Sequence, residues 1–143
     1  MKVSYEALPA QADEAAANAY APYSEFHVGA AILTASGEVF KGANVENSSY
    51  PLSNCAERTA VYTAVTAGHT DFKAIAIVQG GVEPGSAPCW PCGGCRQVLV
   101  EFNPHMEVVF REGDGIRVTK LHELLPHYFD KARLFAEPEK RPV

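Results

Sequence analysis

Two short stretches carry residues that can hold a metal and move protons: Cys55-Ala56-Glu57 and Pro91-Cys92-Gly93-Gly94-Cys95. Each stands where a helix is predicted to begin. Backbone N–H groups in a helix's first turn have no intrahelical partner and carry partial positive charge, so a thiolate there is favoured over its thiol. Two such starts brought together present the thiolates of Cys55, Cys92 and Cys95 to one cation. Three sulfurs leave one position of a tetrahedral Zn2+ open, the arrangement of a catalytic site rather than a closed structural one. Glu57, two residues beyond a ligand, reaches that position without ligating and is suited to take a proton from water and deliver protons to a substrate. Three thiolates over-neutralise Zn2+ and weaken it as a Lewis acid. Arg58, next to the motif, offsets the excess by donating hydrogen bonds to a thiolate.

Taken singly, these residues have plainer readings. A Cys-x-x-Cys is often redox-active or structural, a lone Cys55 a small buried hydrophobe, and a lone Glu57 an exposed helix residue. In combination they follow the order His or Cys, one residue, Glu, then Pro-Cys-x-x-Cys that marks zinc-dependent base deaminases. Pro88-Cys89-Trp90-Pro91-Cys92 also fits Pro-Cys-x-x-Cys and overlaps the other match. Pro91 disfavours helical geometry at Trp90, whereas Cys92 to Cys95 runs into the predicted helix uninterrupted, so Cys92 and Cys95 are the expected ligands. Cys89 is then a bystander, either buried or a spare thiol near the site. A closed structural zinc held by all four cysteines is the alternative.

The elements that must position these groups are legible in outline. An amphipathic helix is predicted from Tyr5 to Tyr20, stopping before Pro22. Phe26–Thr34 and Glu38–Val45 are apolar or β-branched runs around the turn signal Ser36-Gly37, a predicted hairpin. Asn54 is the expected cap of a helix over Cys55–Ala67, with Gly68 ending it in the left-handed region. A buried strand over Ala74–Gln79, a loop over Gly80–Pro91 and a helix over Gly93–Phe102 follow. Strands at Glu107–Phe110 and around Ile116–Val118, and a short helix near Leu121–Leu125, complete the pattern. Helices interleaved with strands argue for an α/β sandwich on one mixed sheet.

The chain has 143 residues and is 47% hydrophobic, enough for one domain with a real core. Residues 1–135 are expected to form that domain and residues 136–143 a flexible C-terminal tail. Net charge is −5, and the twelve Lys and Arg are scattered except near Lys140 and Arg141, so no track for a phosphate backbone is visible and nucleic acid is not an expected partner. No apolar run is long enough to span a membrane, the N-terminus lacks the order of a signal peptide, and a cytoplasmic location with no membrane partner is expected. Three of the four cysteines crowd into seven residues, which points to metal or redox chemistry rather than a disulfide framework.

The sequence resembles the small, homotetrameric cytidine deaminases of the three-cysteine zinc type. The matching segments are Tyr20-Ala21-Pro22-Tyr23-Ser24, Val28-Gly29-Ala30-Ala31, Gly42-Ala43-Asn44-Val45-Glu46-Asn47, Cys55-Ala56-Glu57-Arg58-Thr59-Ala60, Pro91-Cys92-Gly93-Gly94-Cys95-Arg96-Gln97-Val98 and Glu123-Leu124-Leu125-Pro126. They run in the family's order and cover most of the chain up to Pro126. The resemblance implies a three-layer α-β-α sandwich, one Zn2+ per chain, and hydrolysis of cytidine and 2′-deoxycytidine to uridine and 2′-deoxyuridine with release of ammonia, in pyrimidine salvage. It implies that Glu57 shuttles protons to N3 and the leaving amino group, that Asn44 and Glu46 read the ribose hydroxyls, that Phe26 packs on the pyrimidine, and that the Ala56 backbone hydrogen-bonds the base edge. It further implies a homotetramer in which Tyr50 and the pair Tyr128 and Phe129 complete neighbouring pockets, Phe129 stacking on the base. From spacing alone, Asn44 and Glu46 read as a polar turn after a strand, and Tyr128 and Phe129 as anchors of the C-terminal segment.

The chain departs from the family pattern before the Pro-Cys-Gly motif, where Trp90 replaces a small polar residue and Cys89 precedes it. A large indole there is expected to reshape the exit for ammonia or to contact the C4 side of the substrate. Three rival functions share the motifs. Blasticidin S deamination is opposed by Glu46, whose carboxylate suits a ribose diol. Deamination within a polynucleotide would need basic and aromatic surfaces that the acidic composition does not supply. A metal-binding protein without catalysis, or a thiol redox module, treats Glu57 as incidental.

Overall fold

A computed structural model describes residues 3–82 and 87–135. The stretch predicted as a tail, 136–143, lies outside the described residues, as does part of the predicted Gly80–Pro91 loop. Among the described residues the elements are α1 (Leu8–Ala16), β1 (Val28–Thr34), β2 (Val39–Ala43), α2 (Ala56–Thr66), β3 (Phe72–Gln79), α3 (Gly93–Val100), β4 (Glu107–Glu112), β5 (Gly115–Lys120), α4 (Leu121–Leu124) and α5 (Lys131–Leu134), with a 3-10 turn at Tyr50–Leu52. The 3-10 turn and α5 were not anticipated; each is a single turn, too short for a periodic signal.

The strands form one mixed sheet in the order β2-β1-β3-β4-β5. β1 pairs antiparallel with both β2 and β3, β3 pairs parallel with β4, and β4 turns back antiparallel into β5. Every residue of β1 is buried, as expected of a strand covered on both faces. Alternation sorts the strand residues: Val28, Ala30, Ile32, Ile75, Ile77, Val108 and Phe110 meet α2 and α3 on one face, while Ala31, Leu33, Ala74, Ala76, Val78 and Val109 meet α1 on the other. These are the three layers the resemblance implied. No helix among the described residues is long and apolar enough to cross a membrane.

α1 is shorter than predicted at both ends. Pro9 sits in its first turn, and tight turns precede it, with Ala7 N bonding Ser4 O and Leu8 N bonding Tyr5 O. At the other end Tyr20 is extended, its N–H donating to Asn44 O and its carbonyl accepting from Glu46 N. Leu8, Ala12, Ala15 and Ala16 make the buried stripe, at helical spacing.

The seat of α2 governs the site. A β-carbon on Gly42 of β2 would overlap the Ala60 amide nitrogen and stand 2.6 Å from the Ala56 carbonyl oxygen. Only glycine therefore lets the first turn of α2 lie directly on β2, and Asn44 and Glu46 follow two and four residues later.

Candidate functional site

The predicted cap of α2 is corrected by the structure: Cys55, not Asn54, occupies the capping position, with extended backbone at φ −76° and ψ 155°. Asn54 is committed elsewhere. Its backbone exchanges hydrogen bonds with Val45, 2.8 and 3.0 Å, and its side-chain amide donates to Thr59 Oγ1 at 3.0 Å. Cys92 caps α3 in the same way, at φ −67° and ψ 166°, and its Sγ accepts from Cys95 N at 3.4 Å. The Cys92 sulfur thus meets an unpaired amide at the start of α3, while the Cys55 side chain makes no capping hydrogen bond.

These two starts converge. Cys55 Sγ and Cys92 Sγ are 3.9 Å apart, Cys92 Sγ and Cys95 Sγ 3.4 Å, and all three sulfurs lie within 4.8 Å of one another. Sulfurs about 2.3 Å from one tetrahedral zinc are roughly 3.8 Å from each other, so the trio fits a single such cation. All four cysteines are free of disulfides. Cys89 is not in the cluster; it packs against the core, where burial and the nearby Glu57 charge push its thiol up to about 11.

The sulfurs share protons and charge. A hydrogen bond from the Cys95 thiol, then the Arg58 guanidinium, holds Cys55 down at about 5, while that same bond and burial push Cys95 far above the ordinary thiol range. Arg58 Nη2 donates to Cys55 Sγ at 3.2 Å, as expected of the residue beside the motif, and its Nε is buried without a partner. Glu57 is 4% exposed. Burial raises its carboxyl above the usual range, the Cys95 thiol opposes that by hydrogen bonding, and the Cys55 charge adds to it. A buried carboxyl with a raised proton affinity, hydrogen-bonded to the Cys95 thiol, is equipped to take up and release a proton beside the sulfur cluster.

A second group of predicted residues gathers beside the first turn of α2. Asn44 Nδ2 donates to Phe26 O at 2.7 Å and its Oδ1 accepts from Val28 N at 2.9 Å. Glu46 Oε1 accepts from Tyr23 N and Ser24 N, at 3.0 and 3.1 Å, and Ser24 Oγ donates to Oε2. Those bonds, the Ser24 hydroxyl first, hold the Glu46 carboxyl below its ordinary value. Tyr23, Ser24, Glu46, Tyr50 and Ser53 line an open cavity of about 360 Å3, within the size range of small-molecule sites. Tyr50 stacks edge-on against Tyr23, ring centres 5.8 Å apart. A larger cavity of about 590 Å3, on the α1 side of the sheet, is lined by none of the predicted ligand, catalytic or substrate-binding residues; size does not decide here, because the reactive groups lie elsewhere.

Ala56 is fully buried at the start of α2, and Phe26 is half-exposed. Phe129 lies on the C-terminal segment with its ring exposed, its carbonyl held by Gln97 Nε2 at 2.8 Å. Trp90 rests on Phe110, ring centres 4.6 Å apart, with the Arg117 guanidinium 5.2 Å from its ring centre. The indole is thus packed against β4 and β5. Sequence reasoning assigned no role to Arg96 and Gln97, which follow Cys95 directly. Arg96 donates from Nε to Pro91 O at 2.9 Å and from Nη1 to Leu124 O at 2.7 Å, tying the loop before Cys92 to the end of α4. The motif Cys-Arg-Gln was visible; its distant carbonyl partners were not.

Residues 2–112 match the family model described as the cytidine and deoxycytidylate deaminase zinc-binding region. The cytidine deaminase of Sporosarcina psychrophila is 46% identical over 131 residues, 90% of this chain and 93% of that protein. The cytidine deaminase of Halalkalibacterium halodurans is 47% identical over 122 residues, 83% of this chain and 89% of its own. The crystal structure of cytidine deaminase from Burkholderia pseudomallei superposes with a TM-score of 0.81 at 47% identity, covering 89% of this chain and all of that one.

Proposed function

This chain belongs to the family of cytidine and deoxycytidylate deaminases with that zinc-binding region, and from this premise we propose that it hydrolyses cytidine and 2′-deoxycytidine to uridine and 2′-deoxyuridine in pyrimidine salvage. Water adds at C4, the 4-amino group leaves as ammonia, and the carbonyl of the product forms. The observation that carries the reading is the buried Glu57 carboxyl beside three sulfurs spaced for one zinc ion. Cys55, Cys92 and Cys95 hold the zinc, which when bound supplies the Lewis acidity that lets water act as a nucleophile near neutral pH.

Glu57 takes the proton of the attacking water and delivers protons to N3 and then to the departing amino group. Its burial supports this, since a carboxyl kept from solvent exchanges its proton with the substrate rather than with bulk water. Arg58 neutralises part of the thiolate charge through Cys55. The Ala56 backbone meets the base edge and Phe26 packs on the pyrimidine. Asn44 and Glu46 take the ribose hydroxyls.

Tyr50 and Phe129 serve the pockets of neighbouring subunits in a homotetramer. Their exposure, 69% and 57% in the single chain, supports that role. Residues 1–135 act as one domain, and four cysteines free of disulfides suit the reducing cytoplasm.

The test is the fall in ultraviolet absorbance when zinc-loaded protein meets cytidine. Glu57→Gln keeps shape and metal but removes the base; turnover is expected to drop by about a thousandfold or more with zinc content unchanged. Equal turnover by both proteins would remove Glu57 as the base, and no turnover by either with zinc bound would return the protein to metal binding without catalysis.

A further inference from the structure

The loop before β1 contains a hydroxyl that the function above does not use. Ser24 Oγ donates to Glu46 Oε2 and accepts from Phe26 N at 3.0 Å. A serine hydroxyl has one proton, so giving it to Glu46 turns a lone pair toward Phe26. Two backbone amides, Tyr23 N and Ser24 N, complete the hold on Oε1. From Phe26 the chain of bonds continues through its carbonyl to Asn44 Nδ2. Glu46, Ser24, Phe26 and Asn44 are therefore linked in one run: two residues assigned to the sugar at the ends, the residue assigned to the base between them.

The backbone inside this clasp is strained. Glu25, between Ser24 and Phe26, has φ 57°, a left-handed conformation uncommon for a residue with a side chain. Its N–H is satisfied by Ala21 O at 3.0 Å. Such a conformation persists where the surroundings over-determine it, typically at functional sites.

A carboxylate offers about four acceptor positions. Three of those on Glu46 are taken, by Tyr23 N, Ser24 N and Ser24 Oγ, which fixes its plane and leaves room for a single hydroxyl donor. We propose that Ser24 is a positioning residue for sugar recognition, aiming the remaining lone pair of Glu46 at one ribose hydroxyl, the 3′. This rests on the reading of Glu46 as a ribose ligand. One directed acceptor serves ribose and 2′-deoxyribose alike, since the 2′-hydroxyl finds no further position on this carboxylate.

The experiment compares cytidine with 3′-deoxycytidine on zinc-loaded wild type, Ser24→Ala, Ser24→Thr and Glu46→Gln, with zinc content and thermal midpoint measured on each. Ser24→Ala is expected to raise KM for cytidine about tenfold, with kcat within about twofold, because one hydrogen bond to a charged group is lost. KM for 3′-deoxycytidine should move little. Ser24→Thr, which keeps the hydroxyl, should restore most of the cytidine KM. An equal rise for both substrates would make Ser24 an ordinary loop brace and overturn the proposal. If Glu46→Gln erases the preference for the 3′-hydroxyl while Ser24→Ala keeps it, the proposal fails and the ribose reading stands. If Glu46→Gln leaves the preference intact, the ribose reading fails and the proposal with it.

Discussion

The sulfur end of the site and the end proposed for the sugar are built in opposite ways. At the metal end, side chains from two helix starts 37 residues apart, Cys55 and Cys92, meet beside a carboxyl that is 4% exposed. At the end proposed for the sugar, Glu46 is bound by neighbouring residues of one short loop, Tyr23 and Ser24, at an open surface next to the exposed Tyr50. Proton affinities diverge accordingly: burial raises Glu57, while hydrogen bonds lower the solvent-facing Glu46. Proton transfer is assigned to the dry end, where a carboxyl can hold a proton, and recognition to the wet end, where an ionised acceptor is wanted.

The contrast can be broken first at the seat of α2. Gly42→Ala would force the helix start away from β2; a loss of about 2 kcal/mol of stability is expected, as for other overpacked sites, together with weaker zinc retention. Thermal melting with metal analysis checks it, and an unchanged midpoint would show that α2 is not tightly seated. Arg58→Ala leaves the fold but removes the donor to Cys55. Zinc affinity, measured by competition with a chelator, is expected to weaken about tenfold, in line with the loss of other groups that support metal ligands.

The smallest effect is expected at Cys89. Cys89→Ala should keep one zinc per chain and change turnover by no more than about twofold, since this thiol stands outside the sulfur trio. Loss of zinc would instead support the closed four-cysteine site and dissolve the distinction between the two ends.

Much of the metal end was legible in the sequence. Helix starts, a Glu two residues past a cysteine, and the Cys-x-x-Cys spacing are local features, and local geometry decides them. Pro91 was enough to separate Cys92 from Cys89, and the sulfur cluster excludes Cys89 as expected. The nearly continuous apolar runs of β1 and β3 likewise announced strands covered on both faces, because successive side chains point to opposite sides of a sheet and here almost all of them are apolar. The role proposed for Asn44 and Glu46 rests on the family resemblance, since by themselves these residues read as a polar turn.

What tertiary structure alone decided were matters of competition between distant groups. Asn54 is a good cap by type, yet its backbone is paired with Val45, and the capping position passes to Cys55. Gly42 matters because another chain segment crosses it, and Arg96 because two carbonyls 5 and 28 residues away converge on it. Ser24 matters because a carboxylate 22 residues later folds back over its loop. A sequence states which groups can donate, accept or ligate; which partner each one takes depends on where the rest of the chain brings the alternatives.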